Sequence, residues 1–368
     1  MGGDNRTVQE STADYEASLA KQIPVVEADL KAKHTFMARD SFAFFRATFY
    51  RWCERWPAVV PEAIAEAPRL RAVGDLHVEN FGTWRDVEGR LAWGVNDFDE
   101  VAGLPYTIDL VRTVASAILA SQAGALAIDP QESGEAVLVG YRSSLESGGR
   151  ALVLAEHDRW LRRMCTSRLR DPVGYWARME ALEELGRLPG DLRQRLRRAL
   201  PAGTQGITHR ARQAGEGSLG RFRAVALGTL DGALVAREAK ATTRSGWYWA
   251  HPGERTSHAP TPSLPLPRAV RVPDPSVEVE ESWIIRRLSP DCSRLELTSL
   301  PKRRDEERLL RAMGWEAGNV HLATPDAIPG VLSHLDRLGK RWLEKSAKAM
   351  VADVLNDWKA WRKHPTPA

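Results

Sequence analysis

Residues 73–100 read VGDLHVENFGTWRDVEGRLAWGVNDFDE, and the fold turns on how this stretch is read. Asp75 precedes Asn80 by five positions, and Asp97 and Asp99 close the stretch as NDFDE. Leu91, Trp93 and Val95 alternate as a half-buried strand does. Such a strand delivers Asp97 at its end, beside a short loop that presents Asp75 and Asn80 to the same cleft. One carboxylate that takes or orients a hydroxyl proton, with an Asn and a second carboxylate to hold a divalent cation, is the set that phosphoryl transfer uses. The expected roles are Asp75 as base or orienter, Asn80 and Asp97 as Mg²⁺ ligands, and Asp99 assisting or bracing the metal.

The stretch also carries a resemblance. GDLHVEN resembles the HGDLHPGN loop of aminoglycoside and choline phosphotransferases and the HRDLKPEN loop of protein kinases, and NDFDE resembles their metal-binding strand end. PYTIDLVRT resembles the phosphotransferase segment with an Asp at a helix start, here Asp109, which would brace the catalytic loop. An ordinary first-turn Asp favoured by the helix dipole is the competing reading. SFAFFRATFYRW, GDLHVENFG, NDFDE and AREAKA together resemble the bacterial family called domain of unknown function 2252, which is grouped with kinase-like folds. The resemblance runs from about His34 to the C-terminus. It implies an α+β, two-lobed kinase-like fold with a mostly helical large lobe and a small antiparallel sheet, and ATP and Mg²⁺ as cofactors. His77 stands where small-molecule phosphotransferases carry a His, and no APE-like segment follows NDFDE, so a small-molecule acceptor is expected.

The texture changes at Gly203. GEGSLG, residues 215–220, is followed by the alternating run RFRAVALGT, an Asp231-Gly232 turn signal and ALVAREAKA. A G-x-G-x-x-G alone is a weak signal. Here strands rather than a helix follow it, the context of a small sheet whose glycines let backbone N–H groups approach phosphates. Gly215, Gly217, Ser218 and Gly220 are the expected phosphate cover, with Arg237 or Lys240 as the gripping cation. Arg237 and Lys240 are three apart and face opposite sides of a regular strand, so one alone enters the cleft, with Lys240 favoured. The glycines follow the catalytic Asp by more than a hundred residues, against the usual kinase order. Two explanations fit: a circularly permuted arrangement, the favoured one, since such joints are tolerated at the surface, or glycines that are coincidental, with another element covering the ATP.

The remainder sets bounds. The 368 residues suit more than one lobe, and 43% hydrophobic with 27% charged residues is a globular composition. Net charge +4 allows an anionic ligand but does not argue for nucleic acid. Cys53, Cys165 and Cys292 form no metal or disulfide pattern, which fits a cytoplasmic protein, and no membrane span is visible. The expected organisation is a lead-in helix or tail over 1–30, a helical lobe over 31–202, a β-rich nucleotide-covering lobe over 203–298 and C-terminal helices over 299–368. Phe42, Phe45, Phe49 and Trp52 fall on one helix face, with Asp40 or Ser41 as cap. Pro105 suits a helix start, residues 247–267 read as a long loop, residues 276–288 as one strand, and His321 as a satisfied core or surface histidine. Arg-rich runs over 159–164 and 193–200 read as solvated helix faces.

Three other functions fit parts of the pattern. A pseudokinase or nucleotide-binding regulatory protein needs the glycines but not Asp75, Asn80 and Asp97 together. Transfer of AMP on the same fold uses the same residues. A metallophosphoesterase reading of Asp75 and His77 lacks the further ligand clusters of a two-metal site.

Overall fold

The computed structural model describes residues 6–154, 156, 158–166, 171–254, 268–280, 282–292, 294, 297 and 305–364. The chain is mixed α+β, about half helical, and its sheets are antiparallel. Five helices come first: α1 Val8–Ala20, α2 Glu27–Arg39, α3 Ser41–Ala47, α4 Phe49–Val59 and α5 Glu62–Ala65. β1 Arg69–Ala72 pairs with β4 Ala102–Pro105, and between them β2 Phe81–Arg85 pairs with β3 Leu91–Val95. α6 Thr107–Gln122 and α7 Pro130–Ser147 follow, then β5 Leu152–Val153 on β3, and α8 Arg159–Thr166, α9 Pro172–Glu180 and α10 Leu192–Ala199. The second half holds β6 Gln205–Ala211, β7 Arg223–Leu230, β8 Ala233–Ala241, α11 Gly246–Ala250, β9 Glu278–Glu280 and β10 Trp283–Leu288, then α12 Glu306–His321, α13 Ile328–Arg337 and α14 Trp342–Lys363.

α6 is the spine of the helical body. It is buried from Thr107 to Ala120, Asp109 and Arg112 included, and α7, α12 and α14 pack around it. α7 starts on an Asp129–Glu132 capping box with Pro130 in its first turn and ends at Gly148 in the left-handed conformation. α7 and α12 cross closely because Gly140 and Gly314 lack side chains. A Cβ on Gly140 would stand 1.9 Å from the Arg311 carbonyl oxygen.

The larger sheet runs β6-β7-β8-β10-β9. Asp231 and Gly232 join β7 to β8 with φ of 49° and 81°, both positive, as a tight two-residue hairpin turn demands. Strand period divides the sheet into two faces. Ala224, Ala226, Ala239, Ala241, Trp283 and Ile285 pack on Leu192 and Leu196 of α10 and on Leu19 of α1. Each buried leucine there contributes about 1.5–3 kcal/mol. The opposite face carries Arg223, Glu238, Lys240 and Arg286 toward the helical body.

Several expectations need correction. The lead-in takes the helical of its two readings, and it is packed rather than a tail: Val8 lies in the main core, and Leu19 and Ile23 in the sheet's. α10, assigned to the helical lobe by a boundary at 202, packs on the sheet. The aromatic helix breaks at Thr48 (φ −124°, ψ 41°), with Asp40 capping its first half through the Ala43 N–H. Pro105 ends β4 opposite Arg69 rather than opening α6. Where one strand is expected over 276–288, β9 and β10 pair antiparallel, and Trp247–Ala250 is helical within α11; residues 255–267 of the expected loop lie outside the described residues. Cys53, Cys165 and Cys292 are not joined in disulfides. Among the described residues no helix is long and apolar enough to cross a membrane.

Candidate active site

The loop after β1 is held by α6. Asp109 is fully buried and accepts the Val73 N–H (2.7 Å) and the Gly74 N–H (2.8 Å), so it braces the loop as expected. His321 stands behind it, Nε2 2.9 Å from Asp109 Oδ2 and Nδ1 2.8 Å from the Tyr141 hydroxyl. The lone histidine is thus a satisfied core residue. One turn along α6, Arg112 Nε donates to Asp75 Oδ1 (2.7 Å) and Nη2 to the Phe45 carbonyl (2.9 Å). Its guanidinium is boxed by Phe45 at 3.9 Å and by Phe49 and Trp52 at 5.0 Å, the aromatic stripe read from the sequence. Gly74 must be glycine: φ is 86°, and a Cβ would lie 2.5 Å from the Glu100 carbonyl oxygen.

Asn80 joins the loop to the strand that follows it. Its Nδ2 donates to the Asp75 carbonyl (3.0 Å) and the Asp97 carbonyl (3.1 Å), and its Oδ1 accepts the Asp97 N–H (2.9 Å). Both amide hydrogens are committed, and the amide oxygen keeps one lone pair. The side chain is a staple between Asp75 and Asp97 before it is anything else.

Asp97 is 38% exposed at the cleft and receives Lys240 Nζ at 3.1 Å on both oxygens. Burial would raise its pKa, but the Lys240 ammonium prevails and holds the carboxyl well below the usual range. Asp99 pairs with Lys240 and with Arg221 (3.3 Å); burial and the neighbouring Asp97 charge push its pKa up. Burial likewise raises that of Asp75, against the pull of Arg112. Arg221 also donates to Glu100 (2.8 Å), which accepts the Gly246 N–H (2.6 Å). Burial and the Arg46 and Arg112 charges push the His77 pKa well below its ordinary value, so the ring is neutral at pH 7. Its Nδ1 accepts the Glu79 N–H (3.2 Å), which leaves the proton on Nε2.

The glycine segment meets this floor. Gly215, Gly217 and Ser218 line one cleft of about 230 Å³ with Asp75, Asn80, Asp97 and Asp99. A Cβ on Gly217 would lie 2.8 Å from the Arg46 carbonyl oxygen and 3.4 Å from Asp75 Oδ2. Gly220 does not join them. It turns with φ 94° against Leu30 of α2, which a Cβ would meet at 2.4 Å. Arg237 also stays out: it lies on the other sheet face opposite Arg287 and donates to the Ala236 carbonyl (3.0 Å). Lys240 faces inward and, with Asp97, Trp84, Phe98, Val272 and Ile284, lines an adjoining slot of about 60 Å³.

Sequence reasoning missed Arg112, Arg221, Arg223 and Glu238. Arg112 was legible as the residue one turn after Asp109. Arg221 and Arg223 are two apart, the spacing of a single strand face.

The donor set can be tested against a divalent cation. Among the described residues no three His, Cys, Asp or Glu side chains gather for a metal. Asp97 and Asp99 nonetheless offer carboxylate oxygens at the cleft, and Asp99 Oδ1 is buried without a hydrogen-bond partner. That suits Mg²⁺, which binds through one or two carboxylates and takes its other oxygens from water and substrate phosphates.

Residues 25–170 match the model of a family described as an uncharacterized protein conserved in bacteria, the domain of unknown function 2252. The match is shorter than the reach to the C-terminus expected from the motifs. It includes Asp75, Asn80, Asp97, Asp99, Asp109 and Arg112 and ends before the glycine segment and Lys240. No curated protein and no solved structure matches the chain.

Proposed function

We propose that this protein is an ATP- and Mg²⁺-dependent phosphotransferase acting on a hydroxyl of a small molecule. One observation carries the reading: Asp75, Asn80 and Asp97 line one cleft beneath Gly215, Gly217 and Ser218, with Lys240 from the sheet on Asp97. A helical body bearing the loop, roofed by a five-stranded antiparallel sheet bearing the glycines, supports a two-lobed kinase-like fold. In chain order the sheet comes after the loop, which favours a circularly permuted version of it.

Asp75 orients the acceptor hydroxyl and takes its proton, with one oxygen fixed by Arg112 and the other toward the glycines. A carboxyl whose pKa is raised by burial is a better base than a free one. Asp97 and Asp99 would hold Mg²⁺, with the remaining Asn80 oxygen lone pair toward them. When bound, Mg²⁺ and the nucleotide supply charge neutralisation and the transferable group. Lys240 neutralises the carboxylates and stands ready to meet phosphate oxygens. Catalysis of this kind is positioning and electrostatics.

The experiment is calorimetric titration with ATP, with and without MgCl₂. Mg²⁺-dependent binding is expected, lost in Asp97→Asn and kept in Asp75→Asn. Absence of Mg²⁺-dependent ATP binding at millimolar concentration ends the proposal, and equal loss in both variants ends the division of roles.

A further inference from the structure

The cleft's cationic charge is not where a kinase-type lysine alone would put it. Lys240 is matched by Asp97 and Asp99, and Arg221 by Asp99 and Glu100. Glu238 is different. Fully buried, it is the shared carboxylate of Arg212, Arg223 (3.2 Å) and Arg286 (2.8 Å). Three guanidiniums on one carboxylate leave two positive charges uncompensated within the group. All three arginines line the cleft that holds the glycines and Asp97.

Arg223 is the informative member. It is 6% exposed, and its Nε and Nη1 are buried without a hydrogen-bond partner, the contact from Nη1 to Glu238 lacking hydrogen-bond geometry. Its Nη2 donates to Ser218 Oγ of the glycine segment, and a Cβ on Gly215 would lie 3.1 Å from that nitrogen. A buried guanidinium with open N–H groups is costly unless an anion completes it. A planar fork of donors matches phosphate oxygens where a lysine offers a point charge.

We infer that Arg212, Arg223 and Arg286, gathered on Glu238 beneath the glycine segment, form a polyphosphate-binding site that does not depend on the metal. This rests on the phosphotransferase reading for its natural ligand, the phosphate chain of a nucleotide, though not for its chemistry. Glu238 ties the three side chains together, and Gly215 keeps a Cβ from crowding Arg223 Nη2. Lys240 is then the internal counter-ion of Asp97 and Asp99, and the arginines are the principal phosphate contacts.

The test is calorimetric titration of the full chain with inorganic tripolyphosphate and with ATP, each in EDTA and again in MgCl₂. Wild-type protein binds tripolyphosphate in EDTA. Arg223→Met weakens that binding by about tenfold to a hundredfold, the worth of one or two charge-assisted hydrogen bonds, and Lys240→Met weakens it less. Arg286→Met, at a partly exposed site, gives a second reading should Arg223→Met fold poorly. Tripolyphosphate binding that is absent, or is unchanged in both arginine variants, overturns the inference. Binding of tripolyphosphate without binding of ATP upholds the arginine site and overturns the nucleotide reading. Mg²⁺-dependent ATP binding that ignores both arginine variants does the reverse.

Discussion

Asp109→Asn tests whether α6 sets the position of the candidate catalytic loop. The carboxylate is fully buried, takes the Val73 and Gly74 N–H groups at 2.7 and 2.8 Å, and stands 2.9 Å from His321 Nε2. The amide replaces one acceptor oxygen by a donor. At least one bond is lost and its buried partner left unsatisfied, at a cost of about 1–3 kcal/mol, while the survivors drop from charge-assisted to neutral strength, about 1 kcal/mol each. The sum is about 4 kcal/mol. At roughly 1.3 °C per kcal/mol for a chain of 368 residues, thermal unfolding followed by tryptophan fluorescence falls by about 5 °C. The local effect is sharper. Hydrogen exchange at the Val73 and Gly74 amides, read by mass spectrometry, accelerates on the order of a thousandfold if opening of the loop gains the full 4 kcal/mol. A thermal shift under about 2 °C, with exchange at these two amides unchanged, refutes the claim that Asp109 holds the loop.

Three further substitutions probe packing and charge. Gly140→Ala sets a Cβ 1.9 Å from the Arg311 backbone oxygen, which cannot swing aside, so it costs about 3 kcal/mol; Gly330→Ala, with nothing within 4 Å of its Cβ, is neutral or mildly stabilising in the same thermal assay. Burial alone would raise the Glu238 pKa, but Arg212, Arg286 and Arg223 hold it well below its ordinary 4.5. A depressed carboxyl contributes its full stability above that ordinary value and loses it as pH falls toward the folded-state value. Urea midpoints measured from pH 7 down to pH 3 therefore fall more steeply for wild type than for Glu238→Gln, which starts lower at neutral pH; parallel curves would contradict the assignment.

Much of the site was legible because its residues are close in sequence. Asp75, Asn80 and Asp97 belong to one loop and one hairpin, so spacing and alternation bring them together before any long-range contact forms. The opposition of Arg237 and Lys240 follows from strand period alone. Boundaries were read less well. The break at Thr48, the strand position of Pro105 and the pairing of β9 with β10 arise where tertiary pairing overrides a local pattern that two structures could satisfy. Gly220 shows the limit of motif reading: it completes G-x-G-x-x-G yet serves packing on α2.

The sequence by itself determined the chemistry available: a carboxylate loop with Asn80, a strand ending in Asp97, a glycine segment between strands, and the faces of β8. These are local properties, set by a few residues' spacing and by the period of the strand. Only the tertiary structure decided what those groups do to one another. Asn80 became a staple rather than a free ligand, Lys240 became the partner of two aspartates, and Arg112 reached Asp75 from α6. The excess positive charge fell on arginines from β7, from β10 and from the position just after β6. Ion pairing depends on distance through space and on burial, and neither is written in the separation of residues along a chain.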